Sequence, residues 1–143
     1  MNLAGLRVLV VEDEFLVALG LEDGLKALGC AVVGPVASLA AAVDAAENEA
    51  VDAALLDVNL NGESVYPAAR LLAERNILFV FCSAFTARER MPREFTHKPR
   101  VAKPYTNRMI ATALANVLTP QARHHGASGT LGLRGVGESP GRA

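Results

Sequence analysis

The sequence predicts an α/β fold built on a doubly wound parallel sheet, and three observations carry that reading. Short apolar runs alternate with segments of helical periodicity from about residue 7 to residue 118, as in repeated strand–helix units. The run Ala53-Ala54-Leu55-Leu56 has no polar alternation, as expected of a central strand buried on both faces. Polar residues then end four of the apolar runs: Glu12-Asp13, Asp57, Ser83 and Lys103. In open α/β sheets the functional residues collect at the carboxyl ends of the strands.

The first strand is read at Arg7 to Val11, followed by a helix from about Glu14 to Leu28. Phe15, Leu19, Leu25 and Leu28 give that helix an apolar stripe, and Gly29 is a natural stop. Gly20 and Gly24 weaken it, so packing must hold it. Ala31 to Val36 is the second strand, and Ser38 is placed to cap an alanine-rich helix reaching Asn48. The third strand is Asp52 to Asp57.

Asn59-Leu60-Asn61-Gly62 is then expected to be a loop. Asn-Gly is a strong hairpin signal. The hairpin is nevertheless set aside, because Ser64 opens a helical pattern through Val65, Ala68, Ala69, Leu71 and Leu72. Pro67 sits in the first turn of that helix, where proline is tolerated.

Ile77 to Cys82 is the fourth strand. Thr86 to Pro92 has room for one short helix, but Pro92 and Pro99 fragment the stretch up to Arg100. A short fifth strand follows at Arg100 to Lys103. Thr106 is the candidate cap of a last helix whose buried face is Met109, Ile110, Ala113, Leu114, Val117 and Leu118. The expectation is a flavodoxin-like (βα)5 fold of strand order 2-1-3-4-5, with a short or irregular fourth helix.

Residues 1–119 are read as one domain. Residues 120–143 hold six of the twelve glycines and no aromatic residue, so they are expected to form a flexible tail too short for an output domain. A net charge of -1 gives no electrostatic case for nucleic acid or membranes. No signal core or spanning stretch is present in the sequence. Cys30 and Cys82 both lie in apolar segments and read as buried, reduced thiols.

Strands one and three adjoin in this order, so Glu12, Asp13 and Asp57 should meet. Three adjacent carboxylates repel unless a proton or cation intervenes. Mg2+ suits such a set of hard oxygen ligands. The same site suits phosphoryl transfer, with Asp57 as nucleophile, Lys103 pairing a phosphoryl oxygen, Ser83 donating to another, and Ala84 leaving room. Taken singly, Asp13 could cap a helix, Asp57 could start an Asx turn, and Ser83 and Lys103 could be ordinary surface groups. Four such residues at four strand ends favour the joint reading.

These residues resemble the receiver domain of two-component response regulators over about residues 6–118. Val10-Val11-Glu12-Asp13-Glu14 is similar to that family's acidic pair, and Leu55-Leu56-Asp57 with Gly62 to its phosphoacceptor loop. Ser83-Ala84 and Lys103-Pro104-Tyr105 are similar to its remaining two motifs. Phe81-Cys82-Ser83-Ala84-Phe85 also resembles the F-A-T-G-hydrophobic stretch of stand-alone alphaproteobacterial receivers of the FAT-GUY type, often found beside HWE-type kinases.

The resemblance implies phosphorylation on Asp57, with Mg2+ held by Asp13, by Glu12 through water, and by the backbone carbonyl of Asn59. It implies a cis bond before Pro104. It also implies an aromatic switch residue three positions before the lysine, where this chain has Arg100. The implied function is a cytoplasmic single-domain response regulator. It would take a phosphoryl group from a sensor histidine kinase or histidine phosphotransfer protein, then bind a protein target or act as a phosphate sink. Homodimers occur among such proteins.

Two other functions compete. A degenerate receiver-fold interaction module would work without phosphorylation and bind Mg2+ poorly. An aspartyl phosphatase would need a second carboxylate two residues after the nucleophile, where Asn59 stands; the chain is therefore read as not a turnover enzyme. No helix-turn-helix pattern follows residue 118, which argues against a DNA-binding regulator. His97, His124 and His125 are read as solvated, and Arg88, Arg90 and Arg93 as a solvated basic face.

Overall fold

Runs of Val, Leu, Ala and Phe too apolar for a one-sided sheet set the architecture, because each central strand must be covered on both faces. The computed structural model describes residues 2–84 and 91–118. The elements in chain order are β1 (Arg7–Val11), α1 (Phe15–Ala27), β2 (Ala31–Val36), α2 (Leu39–Asn48) and β3 (Ala53–Asp57). Next come β4 (Asn59–Leu60), β5 (Glu63–Ser64), α3 (Tyr66–Glu74), β6 (Leu78–Ala84), a 3-10 turn (Arg93–Phe95), β7 (Arg100–Lys103) and α4 (Asn107–Leu118).

The main sheet is parallel with order β2-β1-β3-β6-β7. With the small β4–β5 pair set apart, this is the expected 2-1-3-4-5 order. One apolar layer packs Leu9, Leu56, Phe79 and Phe81 against α2, α3 and Phe95. The other packs Val8, Val10, Leu55 and Val80 against α1 and α4. The four described α-helices thus cover both faces of the sheet.

The caps follow their chemistry. Ser38 Oγ accepts the Ala41 N–H at 3.1 Å, and Thr106 Oγ1 accepts the Met109 N–H at 3.1 Å. Gly29 takes φ +88° where α1 ends. β6 runs two residues past the expected Cys82, so Ser83 and Ala84 belong to the strand. Thr86 to Arg90, most of the segment expected to hold a short helix, lies outside the described residues, as does the expected tail.

Three expectations need correction. Asn59–Leu60 pairs antiparallel with Glu63–Ser64, and Asn61 and Gly62 take φ +53° and +92°. Two positive-φ residues are what a tight type I′ hairpin requires. The hairpin and the helix do not compete, because α3 starts only at Tyr66. In α1 the buried residues are Ala18, Leu21, Gly24 and Leu25, while Phe15 is 76% and Leu19 42% exposed. Leu25 is buried as expected but Leu28 is 39% exposed, and beside the inward face α4 lies so close that a Cβ at Gly24 would meet the Asn107 side chain at 2.6 Å. In α4, Ile110 and Leu114 are buried, but Met109 faces outward.

The β1–β2 pairing contains a register shift between Leu9 and Val11, opposite Gly34-Pro35. After it, Val36 carbonyl oxygen accepts the Glu12 N–H at 2.9 Å. Gly34 has φ +91°, and an added Cβ would lie 2.8 Å from Val36 N and 3.1 Å from Val10 O. Both neighbours are backbone and cannot step aside. Gly34→Ala is therefore expected to destabilise the fold by about 2 kcal/mol or more, read as a drop in the urea midpoint. An unchanged midpoint would mean the bulge is not needed.

Candidate functional site

The register of the sheet delivers the polar residues to one edge. Val11 pairs with Leu56, Asp57 with Cys82, and Ala84 with Lys103. Glu12 and Asp13 thus emerge beside Asp57, and Lys103 arrives from the far side of β6. Glu12, Asp57 and Ser83 are buried, although polar.

Lys103 Nζ lies at the centre. It is 3.0 Å from Glu12 Oε1, 3.3 Å from Glu14 Oε1 and 3.3 Å from Asp57 Oδ2. Glu12 Oε2 also accepts from Lys103 at 3.3 Å and from the Glu14 N–H at 3.0 Å. Asp13 Oδ2 accepts the Asn61 N–H at 3.0 Å, so the hairpin turn fixes the second carboxylate of the acidic pair. Asn59 Oδ1 accepts the Gly62 N–H at 2.7 Å, closing the hairpin, while the Asn59 N–H donates to Asp57 Oδ1 at 3.4 Å.

One carboxylate oxygen each from Glu12, Asp13 and Asp57 lies within 4.8 Å of the others. Burial, and then the charge of Glu12, push Asp57 up to about 8, against the pull of Lys103. Burial also acts to raise Asp13, but hydrogen bonding to Asp57 and to the Asn61 N–H outweighs it and leaves Asp13 below its usual value. Burial alone would lower Lys103, yet Glu12 and Asp57 hold its ammonium above the usual range. The two neighbouring carboxyls thus shift apart, Asp57 up and Asp13 down. A pair of hard oxygen donors that needs a positive charge between them fits Mg2+.

The remaining predicted residues fall around this centre. Ser83 is the residue after Cys82, the partner of Asp57 in the ladder. Ala84 is exposed and lines a cleft of about 670 Å3 that runs past Lys103 and Tyr105 to α1. The Lys103-Pro104 peptide bond is cis, and so is Gly34-Pro35. Arg100 is exposed at the opposite end of β7, with Nη2 3.7 Å from Met91 Sδ. Glu14, expected to open the first helix, was missed as a site residue, because its partner Lys103 lies far along the chain. Cys30 and Cys82 are buried free thiols, and burial pushes Cys82 up to about 12. His97 is exposed, and His124, His125, Arg88 and Arg90 lie outside the described residues.

Comparison with known proteins agrees with this geometry. The response regulator receiver domain model matches residues 8–115. No curated protein matches the chain. The chain is similar to SdrG from Sphingomonas melonis Fr1, with 40% identity and a TM-score of 0.72, covering 83% of this chain and 100% of that one. It is similar to the receiver domain of the sensor histidine kinase PA1611 from Pseudomonas aeruginosa PAO1, which has magnesium coordinated in its active-site cleft. That match has 27% identity and a TM-score of 0.67, over 78% of this chain and 95% of the other. The response regulator PhyR from Brucella abortus matches at 25% identity and a TM-score of 0.71, over 89% of this chain and 53% of PhyR.

The raised Asp57 makes stability depend on pH when divalent cations are chelated. A carboxyl whose folded-state value lies above its unfolded value of 3.8 favours folding below that value. The contribution is lost as pH rises through about 8. Wild type should therefore lose stability relative to Asp57→Asn between pH 5 and 8.5, by about 2 kcal/mol or more. Thermal unfolding in EDTA measures this, and curves that stay parallel across the range would contradict it. Millimolar Mg2+ should narrow the gap.

Proposed function

This chain belongs to the response regulator receiver domain family, and from that membership we propose that it is a single-domain response regulator phosphorylated on Asp57. The observation that carries the proposal is the convergence of Glu12, Asp13, Asp57 and Lys103 on one sheet edge. In this reading Asp13 and Asp57 hold Mg2+ directly, Glu12 holds it through water, and the Asn59 backbone carbonyl completes the protein ligands. Bound there, Mg2+ offsets the charge of the carboxylates and of the incoming phosphoryl oxygens.

The chain's own groups then have distinct tasks. An Asp57 oxygen bonds to phosphorus as the bond from phosphorus to the donor's imidazole nitrogen breaks, and that electron pair leaves with the imidazole. The product is an aspartyl phosphate. Lys103 supplies N–H donors to one phosphoryl oxygen and Ser83 supplies its hydroxyl to another. Ala84, with only a methyl group, leaves the approach open. Asn59 cannot act as a general acid, so the chain is a phosphoacceptor rather than a turnover phosphatase.

The donor is a sensor histidine kinase or a histidine phosphotransfer protein, and the output is contact with a protein target or drainage of phosphate from a shared pathway. No described helix is long and apolar enough to cross a membrane, in keeping with a cytoplasmic role. PhyR from Bartonella quintana, 23% identical, is described as an anti-anti-sigma factor; the target of this chain is left at the level of a protein.

Intact mass after incubation with acetyl phosphate tests the proposal. One phosphoryl adduct is expected with Mg2+, and none with chelator or in Asp57→Asn. If no adduct forms under any condition and Mg2+ does not bind, the phosphorylation-independent interaction module takes its place.

Signal transmission has a second test. Arg100 is exposed, so no aromatic ring at that position can follow Ser83 inward. Phe81, two residues before Ser83 on β6, packs edge-on against Phe95 at 5.5 Å, and Phe95 stacks on Tyr66 at 5.6 Å. The reordering is therefore expected in the segment between Ser83 and Lys103. Amide exchange at residues 91–99 should slow or quicken by about fivefold or more on phosphorylation, a shift of about 1 kcal/mol in local opening. Identical exchange in both states would exclude this route.

A further inference from the structure

We propose that Glu14 is a positioning residue that occupies Lys103 before phosphorylation and surrenders it to the phosphoryl group. This rests on the reading of Asp57 as the phosphoacceptor. The argument starts from a count. An ammonium has three N–H donors, yet Lys103 Nζ lies within 3.3 Å of four carboxylate oxygens on Glu12, Glu14 and Asp57. Its hydrogen bonds to Glu12 Oε2, Glu14 Oε1 and Asp57 Oδ2 use all three donors before any phosphoryl oxygen arrives.

The acceptors differ in what it takes to let go. The side chains of Glu12 and Asp57 are 1% and 6% exposed, whereas that of Glu14 is 64% exposed. A buried carboxylate stripped of its cation is left without solvent. Glu14 can turn into water at little cost. It is the contact that yields.

Its placement is independent evidence for a held position. Glu14 is the N-cap residue of α1, and its side chain makes no capping hydrogen bond. It reaches across the site to Lys103 instead, while its N–H is tied to Glu12 Oε2. It also lines the cleft of about 670 Å3 beside Ala84, on the open side of the site. An anionic donor entering by that cleft meets a negative group that already holds the cation it needs.

The test uses the full chain with acetyl phosphate, and with beryllofluoride at fixed Mg2+ as a phosphoryl mimic. Glu14→Gln should raise the phosphorylation rate and tighten beryllofluoride binding by roughly two- to fivefold, the size of an exposed ion pair. Both gains should shrink at high salt, because exposed pairs are screened. Glu14→Asp keeps the charge but loses the reach, so it should behave like Glu14→Gln. If Glu14→Asp behaves like wild type, a diffuse charge effect replaces the contact. If Glu14→Gln is unchanged or slower while wild type is phosphorylated, the role of Glu14 is overturned alone. If wild type takes up neither a phosphoryl group nor beryllofluoride, the phosphoacceptor reading fails and this role fails with it.

Discussion

Everything at the functional edge depends on one electrostatic constraint: a single ammonium holds together carboxylates that would otherwise repel. Glu12 and Asp57 are buried, and buried charges persist only when paired. Lys103 reaches both, and it can do so only because β7 is in register with β6, placing Lys103 opposite Ala84. The parallel sheet order is thus more than a scaffold. Any slip along β3, β6 or β7 would separate the charges that neutralise one another.

Two irregular pieces of backbone refine that placement. The register shift opposite Gly34-Pro35 lets Val36 take the Glu12 N–H, which fixes where the acidic pair leaves the sheet. The hairpin at Asn61-Gly62 presents its Asn61 N–H to Asp13. The same hairpin also donates the Asn59 N–H to Asp57 Oδ1 at 3.4 Å. Each device holds one of the two carboxylates beside Asp57, so local turn chemistry becomes site geometry. The positive φ at Asn61 and Gly62 has a function here beyond reversing the chain.

The sheet order and the meeting of Glu12, Asp13, Asp57 and Lys103 at one edge were legible in the sequence, because each follows from a pattern repeated at several strand ends. What was not legible came from relations between segments. Phe15 and Leu19 look like a buried stripe until α4 is known to lie against Gly24. The hairpin was set aside as a rival to a helix that in fact begins two residues after it. The β2 register shift is written in Gly34-Pro35, yet nothing in the chain says which neighbouring strand must adapt to it. Glu14 was read from its neighbours in sequence, whereas its partner is 89 residues away.

The charge count explains why this edge needs an outside ion for its chemistry. Glu12, Glu14 and Asp57 surround one lysine, with Asp13 beside Glu12 and Asp57, while the whole chain carries only -1. The negative charge is therefore concentrated where the proposed phosphoryl donor would arrive. Burial and then the charge of Glu12 raise Asp57, and a protonated carboxyl is a poor nucleophile. In the proposed function, a divalent cation held by Glu12, Asp13 and Asp57 would favour the carboxylate form of Asp57 and lower the local charge. On that reading, metal binding and ionisation of Asp57 would be linked through the same three carboxylates. Lys103, the cation the fold already holds at this edge, keeps its ammonium against burial because Glu12 and Asp57 favour it, and only its contact to the exposed Glu14 can be given up at little cost.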